Sequence, residues 1–419
     1  MRSERLIATK PKPLPGLDVI AAFLLLLAAM LSPLDSFREN QHEMVPLVAG
    51  LVLLLMSHSK EQPLKVAYLM LLMLAMRIYL HSDERYDSSE ISLADYILLI
   101  SSCAAGFGLK ADFWKLFFPL IAIYTPLAGY LALYLHNLYT VNENFAAGNL
   151  SINQTAFLFG ACLTLSLSFL CTAMSNKRVW PQRALLVMAW LFISMLDIFL
   201  ILQTKSRAGL SIPFVSLLLV LLFGHGKQIN TAVDSCLSKW VPYPRRWRLL
   251  LLGLTAGVST TVAGTIIHNT YSVQQNRYSD LHRLYLLRCY FSTLFTGHNR
   301  LIYGMGFTRA SNHICKDAGI IQGTTHAHNI FAQVAADNGL FALLLLAGIS
   351  VLLFRVAVSR LGQIDQPLIL ASLTLSLYCF FFFLVEGGWA KVSFLQVLIG
   401  MAFGSLSMRL PNHSNLSAD

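Results

Sequence analysis

Charge is scarce in this chain. Asp, Glu, Lys and Arg make up 12% of its 419 residues, against about 25% in ordinary soluble domains. With 56% hydrophobic residues and a mean hydropathy of +0.60, that shortage excludes a soluble globular domain and indicates an integral membrane protein. The marks of several enzyme classes are also missing. No Walker loop, dinucleotide fingerprint, internal repeat or low-complexity run is present, so the chain has no visible means of using nucleotide energy. There is no D-x-D to hold a divalent ion against a diphosphate, and none of the seven cysteines forms a C-x-x-C pair.

What is present is a succession of apolar runs close to the ~20 residues that cross a bilayer as a helix, without the alternating segments of a barrel. The expected fold class is all-α: a polytopic membrane protein of about 12 transmembrane helices with one large periplasmic loop. The spans read 17–34, 44–58, 64–80, 92–109, 114–135, 155–175, 184–202, 208–223, 249–267, 334–354, 367–385 and 391–408. The chain therefore divides into helices 1–9 over residues 1–267, a loop over 268–333, helices 10–12 over 334–408 and a polar tail over 409–419. The first span follows a basic segment and precedes "LSPLDSFREN", which has no small-x-small cleavage signal, so it is expected to be retained as an anchor.

The net charge of +10 reflects topology rather than nucleic acid. With both termini in the cytoplasm, 19 of the 31 Lys and Arg fall on inner segments, as the positive-inside rule requires. Two outer places break the rule. One is the short turn "QTKSRAG", which carries Lys205 and Arg207; the other is the long loop, with Arg277, Arg283, Arg288, Arg300, Arg309 and Lys316. Long loops escape the rule, but short ones obey it. A cationic cluster at the outer end of a helix bundle suits a phosphate-bearing lipid, because guanidinium grips phosphate bidentately.

Within the loop, Leu281, Leu284, Leu287, Phe291 and Leu294 recur at helical spacing, which predicts an amphipathic helix over 272–297 lying along the outer interface. The glycines of "YGMGF" (303–307) predict a tight turn after it. His326, His328 and Asn329 then stand just before the tenth span. A histidine there is commonly a hydrogen-bonded structural residue, but arginines nearby disfavour its cationic form and leave it able to accept a proton. His326 and His328, with His282, His298 and His313, offer nitrogen ligands, yet H-x-H comes without the carboxylate or cysteine pair of a zinc site, and no metal or other cofactor is expected. Asp197 is an intramembrane carboxylate, either functional or a counter-charge to Lys205 or Arg207. Glu386 lies in the last outer turn. Cys289 and Cys315 alone fall where oxidation is possible, although a bridge between them is not the favoured reading.

Several of these segments resemble the bacterial O-antigen ligase and polymerase superfamily. "HNIFAQVAADNG" (328–339) is similar to its HN-x9-G signature, "TKSRAGL" to its T-x-S-R-A/G turn, and "HRLYLLRCYF" followed by "YGMGF" to its R-L-x-x-W helix leading to G-x-G. "NLSINQTAF" resembles its N-x-N-x-x-A segment, with Ser151 for the first asparagine; Leu287 stands at the aromatic position and Ala342 at a second glycine. The resemblance covers about the C-terminal two thirds of the chain. It implies a membrane glycosyltransferase of the bacterial inner membrane that transfers a glycan from undecaprenyl diphosphate to an acceptor hydroxyl on the periplasmic face. It also implies catalytic roles for Arg207, Arg283 and His328. Lys205, Arg288, Tyr303, His326 and Asn329 are candidates for glycan or phosphate contact, and the acceptor in the first reading is a sugar hydroxyl of the lipid A core. Rival readings are an O-antigen polymerase, a protein O-oligosaccharyltransferase and a solute transporter. The last expects broken helices at mid-membrane rather than charges gathered at one surface.

Overall fold

The structure is a computed structural model. It describes residues 111–139, 152–175, 180–224, 273–305, 327–385 and 393–406, with isolated positions 20, 24, 27, 103, 109, 315 and 408. Every regular element among the described residues is helical, and five of these helices are long and apolar enough to cross a membrane. The elements are α1 (Ala111–Tyr139), α2 (Ile152–Ser175), α3 (Trp180–Thr204), α4 (Arg207–Gly224), α5 (Val273–Thr293), α6 (His298–Tyr303), α7 (Ile330–Arg360), α8 (Pro367–Phe383) and α9 (Ser393–Ser405). Seven expected spans, from 114–135 to 208–223 and from 334–354 to 391–408, fall on α1 to α4 and α7 to α9. The expected spans 17–34, 44–58, 64–80, 92–109 and 249–267 lie outside the described residues, apart from the isolated positions.

Helix α2 is the centre of the bundle and packs against α1, α3, α4 and α8. It is apolar all round, the pattern of a helix enclosed by others, and it is buried continuously from Gln154 to Ser166. Small residues let its neighbours close in, since an ordinary Cβ at Gly160 would overlap the Tyr378 hydroxyl of α8. Hydroxyls then join the helices. Tyr378 Oη donates to the Phe157 carbonyl at 2.9 Å, and the Ser168 and Thr374 hydroxyls meet at 2.7 Å. Such bonds contribute about 0.6 kcal/mol each between membrane helices, so packing of Phe157, Phe159, Tyr378 and Phe382 carries more of the stability. By contrast, α3 exposes Leu185, Met188, Phe192 and Met195, an apolar face of the kind a membrane-spanning helix presents to lipid or to another helix.

Helix α7 is two helices joined at Gly339, whose φ of 77° and ψ of −175° break the spiral. Residues before the break, such as Ala332, Gln333, Val334 and Asp337, are buried; after it Leu344, Val351 and Phe354 are exposed. The first nine residues are thus a short buried helix, and the apolar span proper follows them.

Two expectations are corrected. Asp197 is fully buried, and its partner is the Ser166 hydroxyl, which donates to Oδ2 at 3.1 Å and itself accepts from Ser194 at 3.1 Å. It is not a counter-charge for Lys205 or Arg207, because it lies about 12 Å down α3 from the turn at 1.5 Å per residue, facing α2. Cys289 and Cys315 form a disulfide with their Cα atoms 6.0 Å apart, which brings position 315 back onto α5. The bridge also changes which side of α5 faces the protein. Leu286, Cys289, Tyr290, Thr293 and Leu294 are buried, whereas Leu284 is 62% exposed. Leucine spacing alone left out Cys289 and Tyr290, the residues that anchor the helix.

Candidate functional site

The turn between α3 and α4 is built from local hydrogen bonds. Thr204 Oγ1 donates to the Ile201 carbonyl at 2.7 Å and accepts the Ser206 N–H at 3.3 Å. Ser206 is the N-cap of α4, its hydroxyl accepting the Gly209 N–H at 3.3 Å. Between them Lys205 takes a left-handed conformation, φ 55°, and Arg207 is the first residue of the helix. A helix N-terminus carries partial positive charge that favours acidic side chains, yet the first turn of α4 has none. Lys205 and Arg207 instead add positive charge to a positive end, an arrangement that suits an anionic ligand.

The second helix N-terminus repeats the pattern. His328 has φ 52°, a conformation costing an L-residue about 1–2 kcal/mol. Asn329 caps α7, its Oδ1 accepting the Ala332 N–H at 3.0 Å while its Nδ2 donates to the Leu384 carbonyl at 3.1 Å. The first turn of α7 is also without acid.

Contacts put both N-termini at one end of the bundle. An added Cβ at Gly224 would overlap Ile364, so the far end of α4 meets the start of α8. Each helix then advances about 26 Å, Arg207 to Gly224 and Pro367 to Leu384, which makes Arg207 level with Leu384. Asn329 is bonded to Leu384, so His328 is at that level too. The start of α2 is there as well, because a Cβ at Gly209 would lie 2.9 Å from the Ala156 Cβ.

Helices α5 and α6 pack against the start of α7 at this end. Leu286, Cys289 and Tyr290 of α5 and the bridged Cys315 form one apolar cluster with Ala327, Ala332 and Ala336, which brings α5 against the His328 segment. Arg283, one turn before Leu286, is half-buried; Arg288 is exposed. Tyr303 ends α6 half-exposed, followed by Gly304 with φ 75°. Gly304 and Gly339 fit into each other: a Cβ at Gly304 would fall on the Asp337 carbonyl, and one at Gly339 on the Ile302 carbonyl. The Met305 N–H donates to the Ala336 carbonyl at 2.9 Å across the same contact. Glycine is required at both places because the conformation is left-handed and the approach leaves no room for a side chain.

The structure therefore places Arg207, Lys205, His328 and Asn329 at the same end of the bundle and packs the segment carrying Arg283, Arg288 and Tyr303 against the start of α7. His326 and Glu386 lie outside the described residues, as do the side chains of His282 and Arg277. Asn329 has its oxygen and one amide hydrogen engaged by the protein. The four segments singled out in the sequence meet in pairs, Ala156 against Gly209 and Gly304 against Gly339.

A scan against protein-family models finds no match to this chain, and a search of curated proteins finds none either. The site is thus read from its own chemistry. Sequence reasoning missed Gln333 and Asp337, buried on successive turns of α7 and hydrogen-bonded through Gln333 Nε2 and Asp337 Oδ2. The signal was available: two polar residues at i and i+4 in a mostly apolar stretch of helix share a face and need partners when buried.

Proposed function

We propose that this chain is an O-antigen ligase. It transfers O-antigen polysaccharide from undecaprenyl diphosphate to a sugar hydroxyl of the lipid A core, at the periplasmic face of the bacterial inner membrane. The observation that carries the reading is the pair of helix N-termini at one level of an apolar bundle, bearing Arg207 and His328 and having no acid in either first turn. A doubly charged leaving group beside lipid is the chemistry such an end suits. The Cys289–Cys315 bridge supports the periplasmic placement, since disulfides persist in oxidising compartments. In this reading the chain crosses the membrane twelve times with both termini cytoplasmic.

Arg207 and Arg283 hold the diphosphate and stabilise the negative charge that grows on it as the bond from the anomeric carbon to the diphosphate oxygen breaks. His328 accepts the proton of the acceptor hydroxyl while that oxygen attacks the anomeric carbon from the opposite side, inverting its configuration. The charge neutralisation comes from guanidinium groups, which makes transfer metal-independent. Lys205, Arg288, Tyr303 and His326 contribute phosphate or glycan contacts, and Asn329 fixes the helix start that carries His328. Confining two lipid-tethered substrates to one membrane surface supplies much of the rate.

The test is reconstitution of the purified protein with undecaprenyl-diphosphate-linked donor and lipid A core acceptor, with and without chelator. Expected is one-step capping of the core by long glycan, unaffected by chelation. Lengthening of the glycan on its carrier without capping would make the protein a polymerase, and transfer to neither acceptor would end the reading.

A further inference from the structure

Gln333 straddles His328. Its backbone N–H donates to the Asn329 carbonyl at 3.0 Å on one side of the histidine, and its side-chain Oε1 accepts the Ala327 N–H at 2.8 Å on the other. The first bond is the ordinary opening bond of α7; the second is specific to the glutamine side chain, and it ties the residue before His328 to the helix that follows it, which constrains the left-handed backbone between them. The amide of Gln333 has one accepting and one donating end, and its Nε2 donates to Asp337 Oδ2. With the donating end taken by the carboxylate, the oxygen is directed at Ala327. Both side chains are buried, Gln333 to 5% exposure and Asp337 to 1%, so bulk water does not compete for these bonds. Asp337 is itself held where its carbonyl meets Gly304.

We propose that Gln333, oriented by Asp337, is a positioning residue: it sets the backbone of His328 and thereby the direction in which the imidazole meets the acceptor hydroxyl. The inference rests on the role given to His328 above. It extends the site from the exposed end of the bundle into a buried polar ladder that runs Ala327, Gln333, Asp337. Hydrogen bonds that orient a metal-bound histidine from behind are worth about 10–100-fold in affinity or activity, and the same order is taken here for a histidine oriented through its backbone.

The experiment uses the full-length protein in lipid nanodiscs and reads two things in Gln333→Leu, Gln333→Glu and Asp337→Asn. The first is the rate of carbethoxylation of His328 by diethyl pyrocarbonate, measured by mass spectrometry relative to exposed His298. The second is kcat and KM for glycan transfer. Both Gln333 variants are expected to keep the Cys289–Cys315 bridge and to change the His328 labelling ratio severalfold. They should lower kcat about 10–100-fold with KM little changed, the pattern of a misdirected base rather than lost binding. Asp337→Asn replaces the carboxylate by an amide that can turn either its oxygen or its NH2 toward Gln333, so it should move both readouts in the same direction as the Gln333 variants and by less. An unchanged labelling ratio or unchanged kcat in Gln333→Leu with the bridge intact overturns the proposal. So does loss of the bridge in both Gln333 variants, which would make the residue one needed for folding. If the wild-type protein transfers no glycan, the ligase reading fails, whereas the labelling ratio still decides whether Gln333 sets His328.

Discussion

Among the described residues, two that are not glycine adopt a left-handed backbone, Lys205 and His328, and what holds each of them differs. Lys205 sits in a turn closed by its immediate neighbours, Thr204 and Ser206, within a span of nine residues from Ile201 to Gly209. His328 is held from four directions: by Gln333 and the Asn329 cap, by Leu384 across the bundle, by the α5 cluster around Ala327, and through Asp337 by the Gly304 contact. The first residue only presents a charge. The second is proposed to take a proton in a defined direction, and precise direction needs more constraints than local bonding supplies.

Substitution of the two functional side chains breaks the comparison most severely. Arg207→Ala and His328→Ala are expected to insert normally and to lower glycan transfer by about 100-fold or more, the scale of losing one preorganised charge or base. Lipopolysaccharide gels of complemented deletion strains read this directly, and normal capping in both would remove the roles assigned here. Next comes Cys289→Ser. Closing a loop of 26 residues is worth about 3 kcal/mol by chain entropy. Limited proteolysis should therefore cut near α5 sooner in the mutant, and α4 should be cut no faster than in wild type.

Gly339→Ala is expected to cost about 1–3 kcal/mol from the left-handed backbone alone, with the overlap on the Ile302 carbonyl added to it. Thermal unfolding in detergent measures that loss, and an unaltered midpoint would show that the Gly304 contact does not constrain α7. The mildest pair sharpens the comparison instead of breaking it. Ser206→Ala removes one cap bond, about 1 kcal/mol. Asn329→Ala removes a cap and a cross-bundle bond, so its cost should exceed that of Ser206→Ala by about 1 kcal/mol. Equal costs would mean that the two helix starts are held alike.

Much of the bundle was legible before any coordinates. Seven expected spans coincide with helices because a run of about 20 apolar residues has few other stable states. The turn at 204–206 was legible for a related reason: a short connection with Thr, Ser and two basic residues carries its own caps and its own charge anomaly. The cap over the bundle was harder to read. The leucine spacing of α5 pointed to a face that excludes Cys289 and Tyr290, and the disulfide that fixes that face joins residues 26 positions apart. Asp197 read as either a functional carboxylate or a counter-charge for nearby cations, and helix periodicity turns it toward Ser166 of α2, away from those cations.

The sequence by itself determined that the chain is apolar and helical, where most of the described helices begin and end, and that its unusual cations collect in two segments. Those properties follow from composition and from interactions within a few residues. Only the tertiary structure decided that Arg207 and His328 share one level, that Gly304 and Gly339 interlock, and that a glutamine five residues beyond the histidine bends back over it. These depend on which helices meet, and meeting is fixed by the summed packing of many side chains distant in sequence, which no local pattern encodes.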